Sequence, residues 1–272
     1  MKTLREKLYD FAEKQTKTNV IKLFTLLVFI TVTAFINLQQ KPTLYIIGDS
    51  TVRNDDSTGH RGWGSHIGSL LDTTRITISN QAMAGRSTRT FIKEGRWNKV
   101  ISAIKPGDFL IMQFGHNEGS KPDTTRAGYR GVLRGIGEDT VHLVWPDGTP
   151  ETVHTYGWYL KKFVTEAQAK GATVLIASMI PRNDWKDGKL VRASENYGKW
   201  AAEVAQATGA YFIDLNKITA DKYDKWGPEK VKSFFPTEHT HTSPEGARIN
   251  AESVVEGIKE LKDCPLNKYV IK

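Results

Sequence analysis

Leu44-Tyr45-Ile46-Ile47-Gly48-Asp49-Ser50-Thr51-Val52 is the stretch on which the reading of this chain turns. A short apolar run rich in isoleucine, closed by a glycine, has the pattern of a strand buried inside a sheet. Gly48 is expected to allow a sharp exit from that strand. In open parallel sheets the ligand crevice lies beyond the carboxyl ends of the strands. Asp49 and Ser50 are therefore delivered to such a crevice, and the Ser50 hydroxyl is a candidate nucleophile. Asp and Ser are also common in ordinary turns, where they bond the local backbone, so the meaning of the tripeptide depends on what the other strand ends supply.

Working outward, the same strand-then-loop pattern recurs. Arg75–Asn80 alternates and runs into Gln81-Ala82-Met83-Ala84-Gly85-Arg86-Ser87, and Asp108–Phe114 is near-continuously apolar and runs into Gly115-His116-Asn117-Glu118. Thr173–Ile180 ends in Pro181-Arg182-Asn183-Asp184-Trp185, and Tyr211–Leu215 reads as a fifth strand. Between them, Trp97–Ile104, Tyr156–Lys170 and the segment from about Arg192 to Thr208 have helical spacing. Gly59–Leu71 reads as a loop leading into a short helix, and Ser243 with Pro244 opens a last helix. Periodicity fades from Gly119 to about Thr155, apart from a small hairpin expected around Asp147-Gly148. A loop of that length inside a domain is usually functional and is expected to wall the cleft. Strands alternating with helices imply a parallel sheet covered on both faces, here a five-stranded, three-layer α/β/α domain.

The chain has 272 residues, enough for one substantial domain, assigned to 41–272. Of its formal charge of +8, the first 22 residues carry +3, and the rest is spread without runs. A nucleic-acid binder would gather its basic residues on one face, so no nucleic-acid partner is expected. Mild basicity suits an acidic polysaccharide instead. Residues 1–40 read as a basic segment followed by an uncharged run, Leu23–Phe35, of signal-peptide length and shorter than the roughly 20 residues of a membrane span. Val32-Thr33-Ala34 offers a peptidase site, an uncleaved anchor being the alternative. The protein is accordingly expected to be exported, periplasmic or extracellular, with any membrane contact made through that segment. The single cysteine, Cys264, excludes a disulfide framework within the chain and is expected to have no catalytic role. No metal-ligand spacing is apparent among the histidines, and no cofactor is implied.

Acyl transfer needs a nucleophile, a base, a group orienting the base, and donors for the developing oxyanion. Ser50 is the candidate nucleophile and His241 the candidate base. Glu238, three residues before His241 and just ahead of the last helix, is placed to hold the imidazole, which sets His241 apart from its rivals His60, His66, His116, His142, His154 and His239. The backbone N–H groups of Ser50 and Gly85 and the side-chain amide of Asn117 are the expected oxyanion donors. Arg86, His116, Trp145 and Trp185 are weaker candidates for substrate contact.

Gly48-Asp49-Ser50, Asn80 with Gly85-Arg86-Ser87, Gly115-His116-Asn117-Glu118 and the His241 segment resemble, in order, the four blocks of the SGNH (GDSL-type) hydrolases. Gly48-Asp49-Ser50-Thr51-Val52, Gly85-Arg86-Ser87 and His239-Thr240-His241-Thr242-Ser243-Pro244-Glu245-Gly246-Ala247 look most like the rhamnogalacturonan acetylesterases. The resemblance runs from about Leu44 to Ile258. It implies a flavodoxin-like fold, a metal-independent serine mechanism, and removal of O-acetyl groups from pectic polysaccharide through an acetyl-enzyme. The family usually has Asp where this chain has Glu238. Alternatives are an esterase for another ester, such as acetylated xylan, a sialic acid or a lipid, a catalytically silent carbohydrate-binding protein, or an acetyltransferase.

Overall fold

The apolar run at Leu44 forms the strand β1 (Thr43–Gly48), and four more runs of its kind line up beside it, all parallel. In the computed structural model, which describes residues 3–5, 13–25, 41–53, 59–126 and 128–271, the strands in chain order are β2 (Thr77–Asn80), β3 (Phe109–Gln113), the hairpin β4 (Thr140–Val144) and β5 (Pro150–His154), β6 (Thr173–Ala177), the short pair β7 (Trp185–Lys186) and β8 (Lys189–Leu190), and β9 (Tyr211–Ile213). The main sheet has the order β2-β1-β3-β6-β9. This is the doubly wound, flavodoxin-like arrangement, in which the crevice opens between β1 and β3 where the winding reverses. Register fixes that crevice: Gly48 lies opposite Gln113, so the loops carrying Ser50 and Asn117 leave neighbouring strands at the same level.

The helices are α1 (Thr88–Lys93), α2 (Arg96–Ala103), α3 (Tyr156–Ala169), α4 (Tyr197–Thr208), α5 (Leu215–Lys232) and α6 (Pro244–Glu260). Alternate strand residues feed two cores. Leu110, Met112, Val174 and Ile176 pack with α1 to α4, while Leu44, Ile46, Phe109, Ile111 and Leu175 pack with Trp63, Ile67 and the α6 residues Ala251, Val254 and Ile258. Each fully buried aliphatic side chain of this kind contributes about 1.5–3 kcal/mol. The three-layer reading is thus observed, with a smaller third core under α5 built on Tyr223, Val231 and Phe234.

The exit at Gly48 depends on the missing side chain, because a Cβ there would sit 2.5 Å from the Gln113 carbonyl and 2.7 Å from Val52. Other local expectations are corrected. Residues 59–71 form two single 3-10 turns, Trp63–Ser65 and Ile67–Ser69, instead of a helix. The helix expected from Arg192 begins at Tyr197, because residues 193–196 form a turn whose Asn196 side chain caps the helix. Two helices were not anticipated. α1 is only six residues long, started by Ser87 and Thr90 bonding each other's backbone, and α5 is broken at Gly227 before Pro228. The hairpin around Asp147-Gly148 forms with Val144 opposite Pro150.

Residues Met1–Lys41 group as a unit separate from Pro42–Lys272, and within it residues 13–25 are helical. The peptidase site and most of the uncharged run lie outside the described residues. Among the described residues, no helix is long and apolar enough to cross a membrane.

Candidate active site

The turn after β1 is held by a buried, fully oriented chain of hydrogen bonds. Trp63 Nε1 donates to Gln113 Oε1 at 3.0 Å, Gln113 Nε2 to Thr51 Oγ1 at 2.7 Å, and Thr51 Oγ1 to Asp49 Oδ1 at 2.7 Å. The Thr51 N–H also donates to Asp49 Oδ1 at 2.9 Å, so the carboxylate of Asp49 locks the turn that presents Ser50. Trp63, Gln113, Thr51 and Asp49 are all enclosed. A network of this kind is strong when satisfied and costly when broken.

The loop before α6 brings in the imidazole. Ser50 Oγ lies 2.7 Å from His241 Nε2, although the two residues are 191 positions apart. His241 Nδ1 lies 2.7 Å from Glu238 Oε1. That oxygen also accepts the His241 N–H at 2.6 Å, and Oε2 accepts the Thr240 N–H at 2.8 Å. Burial would raise the Glu238 carboxyl, but the N–H groups of His241 and Thr240 and the His241 side chain hold it below its ordinary value. A carboxylate on Nδ1 fixes the tautomer in which Nε2 accepts a proton from the serine hydroxyl. The extra methylene of Glu is absorbed by folding the side chain back onto its own loop.

Five further contacts seat this loop. Arg61 and Thr242 form an antiparallel bridge, the Arg61 N–H donating to the Thr242 carbonyl at 2.9 Å. The His60 ring stacks on the His241 ring at 5.2 Å, and His60 Nε2 lies 2.7 Å from Thr237 Oγ1. On the other side, His239 Nδ1 meets Asp184 Oδ1 at 2.6 Å, while the Asn183 N–H donates to the His239 carbonyl at 2.7 Å. The histidine one position from the carboxylate therefore ties its loop to the loop after β6.

Besides the Ser50 N–H, the expected oxyanion donors lie on the loops after β2 and β3. Gly85 has φ +72°, a left-handed conformation that favours glycine. Asn117 Nδ2 donates to the Arg86 carbonyl at 3.1 Å, and Asn117 Oδ1 accepts from Arg130 Nη1 at 2.9 Å. Beneath them, Glu118 is fully buried, its two oxygens accepting the N–H groups of Thr88 at 2.8 Å and Asn117 at 2.9 Å. Burial pushes this carboxyl up to about 8, against the opposing pull of those N–H groups. The loop thus rests on a carboxyl that tends to keep its proton.

His116 is also drawn into the site. Both of its ring nitrogens are shielded from solvent and unpartnered, and burial lowers the ring to about 4, with Asp49, Arg182, His241 and Glu238 nearby. The remaining candidates are engaged elsewhere. Arg86 Nε donates to Glu94 at 2.8 Å and its Nη1 to the Ala84 carbonyl at 2.9 Å. Trp145 sits over Lys93 at 4.1 Å and donates to Glu151 at 2.7 Å, which ties the hairpin to α1. Trp185 donates to Asn183 at 2.8 Å and packs on the small core under α5. Cys264 is buried in the second core, where burial raises its thiol.

Arg61, Gln113, Arg130 and Asp184 escaped sequence reasoning. Gln113 alone carried a signal, as the one polar residue inside an apolar strand run.

Residues 46–249 match the GDSL-like Lipase/Acylhydrolase family. The chain is 33% identical over 216 residues, 79% of its length and 84% of the relative's, to a rhamnogalacturonan acetylesterase of Emericella nidulans. It is 32% identical over 235 residues, covering 84% of this chain and 97% of the other, to a probable rhamnogalacturonan acetylesterase, YesY, of Bacillus subtilis. The crystal structure of protein YxiM from Bacillus subtilis shares the fold, with a TM-score of 0.66 and 22% identity over 83% of this chain. The match spans 58% of that longer chain.

Proposed function

The chain belongs to the GDSL-like lipase/acylhydrolase family and is a carboxylic ester hydrolase; from that premise we propose that it removes O-acetyl groups from a carbohydrate, of the rhamnogalacturonan type, through an acetyl-enzyme on Ser50. The observation that carries the chemistry is the unbroken line Ser50 Oγ, His241 Nε2, His241 Nδ1, Glu238 Oε1, with both contacts at 2.7 Å.

In this mechanism His241 Nε2 takes the Ser50 proton as Oγ bonds to the acetyl carbonyl carbon. The negative charge passes to the carbonyl oxygen, where the N–H groups of Ser50 and Gly85 and the Asn117 amide receive it. Losing one such donor typically costs about 10²–10³ in rate. The ester bond then breaks as His241 returns the proton to the departing sugar hydroxyl. A water molecule, deprotonated by the same imidazole, repeats the sequence on the acetyl-enzyme, releasing acetate and restoring Ser50.

The pectic assignment is supported by the names of the two relatives and by the resemblance of Gly48–Val52, Gly85–Ser87 and His239–Ala247 to the rhamnogalacturonan acetylesterases. The uncharged run near the N-terminus supports export, to the periplasm or beyond, where such a polymer is met. Acetate release from acetylated rhamnogalacturonan, acetylated xylan and an acetylated sialic acid, with Ser50→Ala as blank, tests the reading. Preference for the first substrate is expected. Turnover of xylan or sialic acid alone would replace the substrate class, and no turnover of any ester would remove the mechanism.

A further inference from the structure

Arg130 lies in the aperiodic segment between β3 and the hairpin, thirteen residues from Asn117, and its Nη1 donates to Asn117 Oδ1 at 2.9 Å. A Cβ placed on Gly85 would stand 3.7 Å from the same nitrogen. One guanidinium therefore lies against two of the three residues expected to donate to an oxyanion. Asn117 is its hydrogen-bond partner among the described residues, where it pairs with no carboxylate.

The segment is built to hold that position. Arg89 on α1, 1% exposed, gives one Nη1 to the carbonyls of Gly128 and Gly131, both at 3.1 Å, and its Nη2 to the carbonyl of Asp123 at 3.2 Å. Its remaining donors bind Glu151 on β5 at 3.0 and 2.7 Å. The Val132 N–H donates to the Glu118 carbonyl at 3.2 Å. Arg130 is thus bracketed on both sides by clamped backbone, and its ring neighbour Tyr129 lies 5.7 Å beneath the guanidinium.

We propose that Arg130 is a positioning residue that orients and polarises the Asn117 amide as an oxyanion donor, an inference resting on the role given to Asn117 above. An amide has two N–H donors and one carbonyl. Here the Arg86 carbonyl takes one N–H and the guanidinium takes the carbonyl, so the second N–H is left free in a set direction. A flipped amide would set Nδ2 against the guanidinium and Oδ1 against the Arg86 carbonyl, and would present a lone pair to the oxyanion. A positive charge on Oδ1 also draws electrons from the amide nitrogen, which strengthens its N–H as a donor.

The test uses kcat and KM on 4-nitrophenyl acetate, a small neutral ester, so that it does not depend on which glycan is the substrate. Wild type, Arg130→Ala, Arg130→Lys, Asn117→Ala and the double variant are compared, with thermal melting as a check on folding. Arg130→Ala is expected to lower kcat by about 10–100-fold, the loss of one charge-assisted hydrogen bond, with KM changed less than about twofold. Arg130→Lys should recover part of that loss. In the Asn117→Ala background the same Arg130→Ala change should cost nothing further, because its effect passes through the missing amide. Equal losses from Arg130→Ala in both backgrounds, or an unchanged kcat in the single variant, would overturn the proposal alone. Full kcat in Asn117→Ala would overturn it together with the oxyanion role of Asn117.

Discussion

The Thr242 hydroxyl donates to the Arg61 carbonyl at 3.0 Å, while the Arg61 N–H donates back to the Thr242 carbonyl at 2.9 Å. Arg61 leads into the turns that carry Trp63, whose N–H donates to the Thr51 carbonyl at 3.1 Å, so this splice joins the loop of His241 to the loop of Ser50. It is short, it involves a fully buried Thr242, and it sits one residue from the imidazole.

Replacing Thr242 by Val keeps the shape and removes the hydroxyl, leaving the Arg61 carbonyl one partner short. A buried group stripped of a hydrogen bond costs about 1–3 kcal/mol. The variant should melt at a lower temperature and lose kcat more than KM, because His241 shifts relative to Ser50 while the substrate surface is untouched. Thermal unfolding and steady-state kinetics on one preparation check both parts.

Ser50→Ala should abolish acetate release and leave the melting temperature within about 2 °C of wild type. The turn that carries it is locked by Asp49, Thr51 and Gln113 and not by the Ser50 hydroxyl. Mass spectrometry after mixing with an activated acetate ester should show a 42 Da adduct on the wild type, about the mass of one acetyl group, and none on the variant.

Glu238→Gln should lower kcat by about 10²–10⁴, the scale seen when the orienting acid of a serine triad becomes an amide. An NH₂ group facing His241 Nδ1 favours the tautomer that cannot accept the Ser50 proton. In the wild type the carboxylate is held below its ordinary value, so it keeps its charge, and the loop its anchor, as pH falls through the usual carboxylate range. Its stabilisation is present above that range and is lost only when pH drops through the lowered value. Rates measured down the acidic limb, compared between the wild type and the Glu238→Gln variant, test this.

Glu118 predicts the opposite dependence. Its folded value is raised to about 8, against 4.5 unperturbed, so above pH 4.5 the unfolded chain gives up the proton while the folded protein keeps it. Folding then binds a proton and this contribution to stability declines as pH rises, levelling off beyond about 8. His116 works the other way, costing stability as pH falls from 6.5 towards 4. Between pH 6.5 and 8 the Glu118 slope stands apart from that of His116. Melting temperatures across that window should fall for the wild type and flatten in Glu118→Gln.

How far local pattern reached is visible element by element. The buried strands were legible because a central parallel strand must be apolar on both faces, which leaves runs such as Leu44–Ile47 and Phe109–Met112 in plain sight. The helix at α3 was legible from Tyr159, Leu160, Phe163 and Val164 on one face. The helix α5 was missed because Gly227 and Pro228 punctuate it, although Leu215, Thr219, Ala220 and Tyr223 keep one buried face. In the candidate site, Glu238 and His241 were found because their spacing of three is itself the contact. Arg130 was not, because nothing near it in the chain says that its guanidinium will meet an amide on another loop.

Residue types and spacing were enough to establish a doubly wound domain with a serine, a glycine and an asparagine delivered to one end of a parallel sheet. They were enough because strand exits follow from hydrophobic runs, and those runs are local. The carboxylate on His241 is a local contact three residues away, but the seating of that imidazole against Ser50 and the arginine that backs the Asn117 amide were decided by contacts between distant segments. Those contacts exist only once the sheet register, the Arg61–Thr242 splice and the Arg89 clamp have set the loops in place, since a hydrogen bond is specified within a few tenths of an ångström and no chain spacing of 191 residues carries that precision.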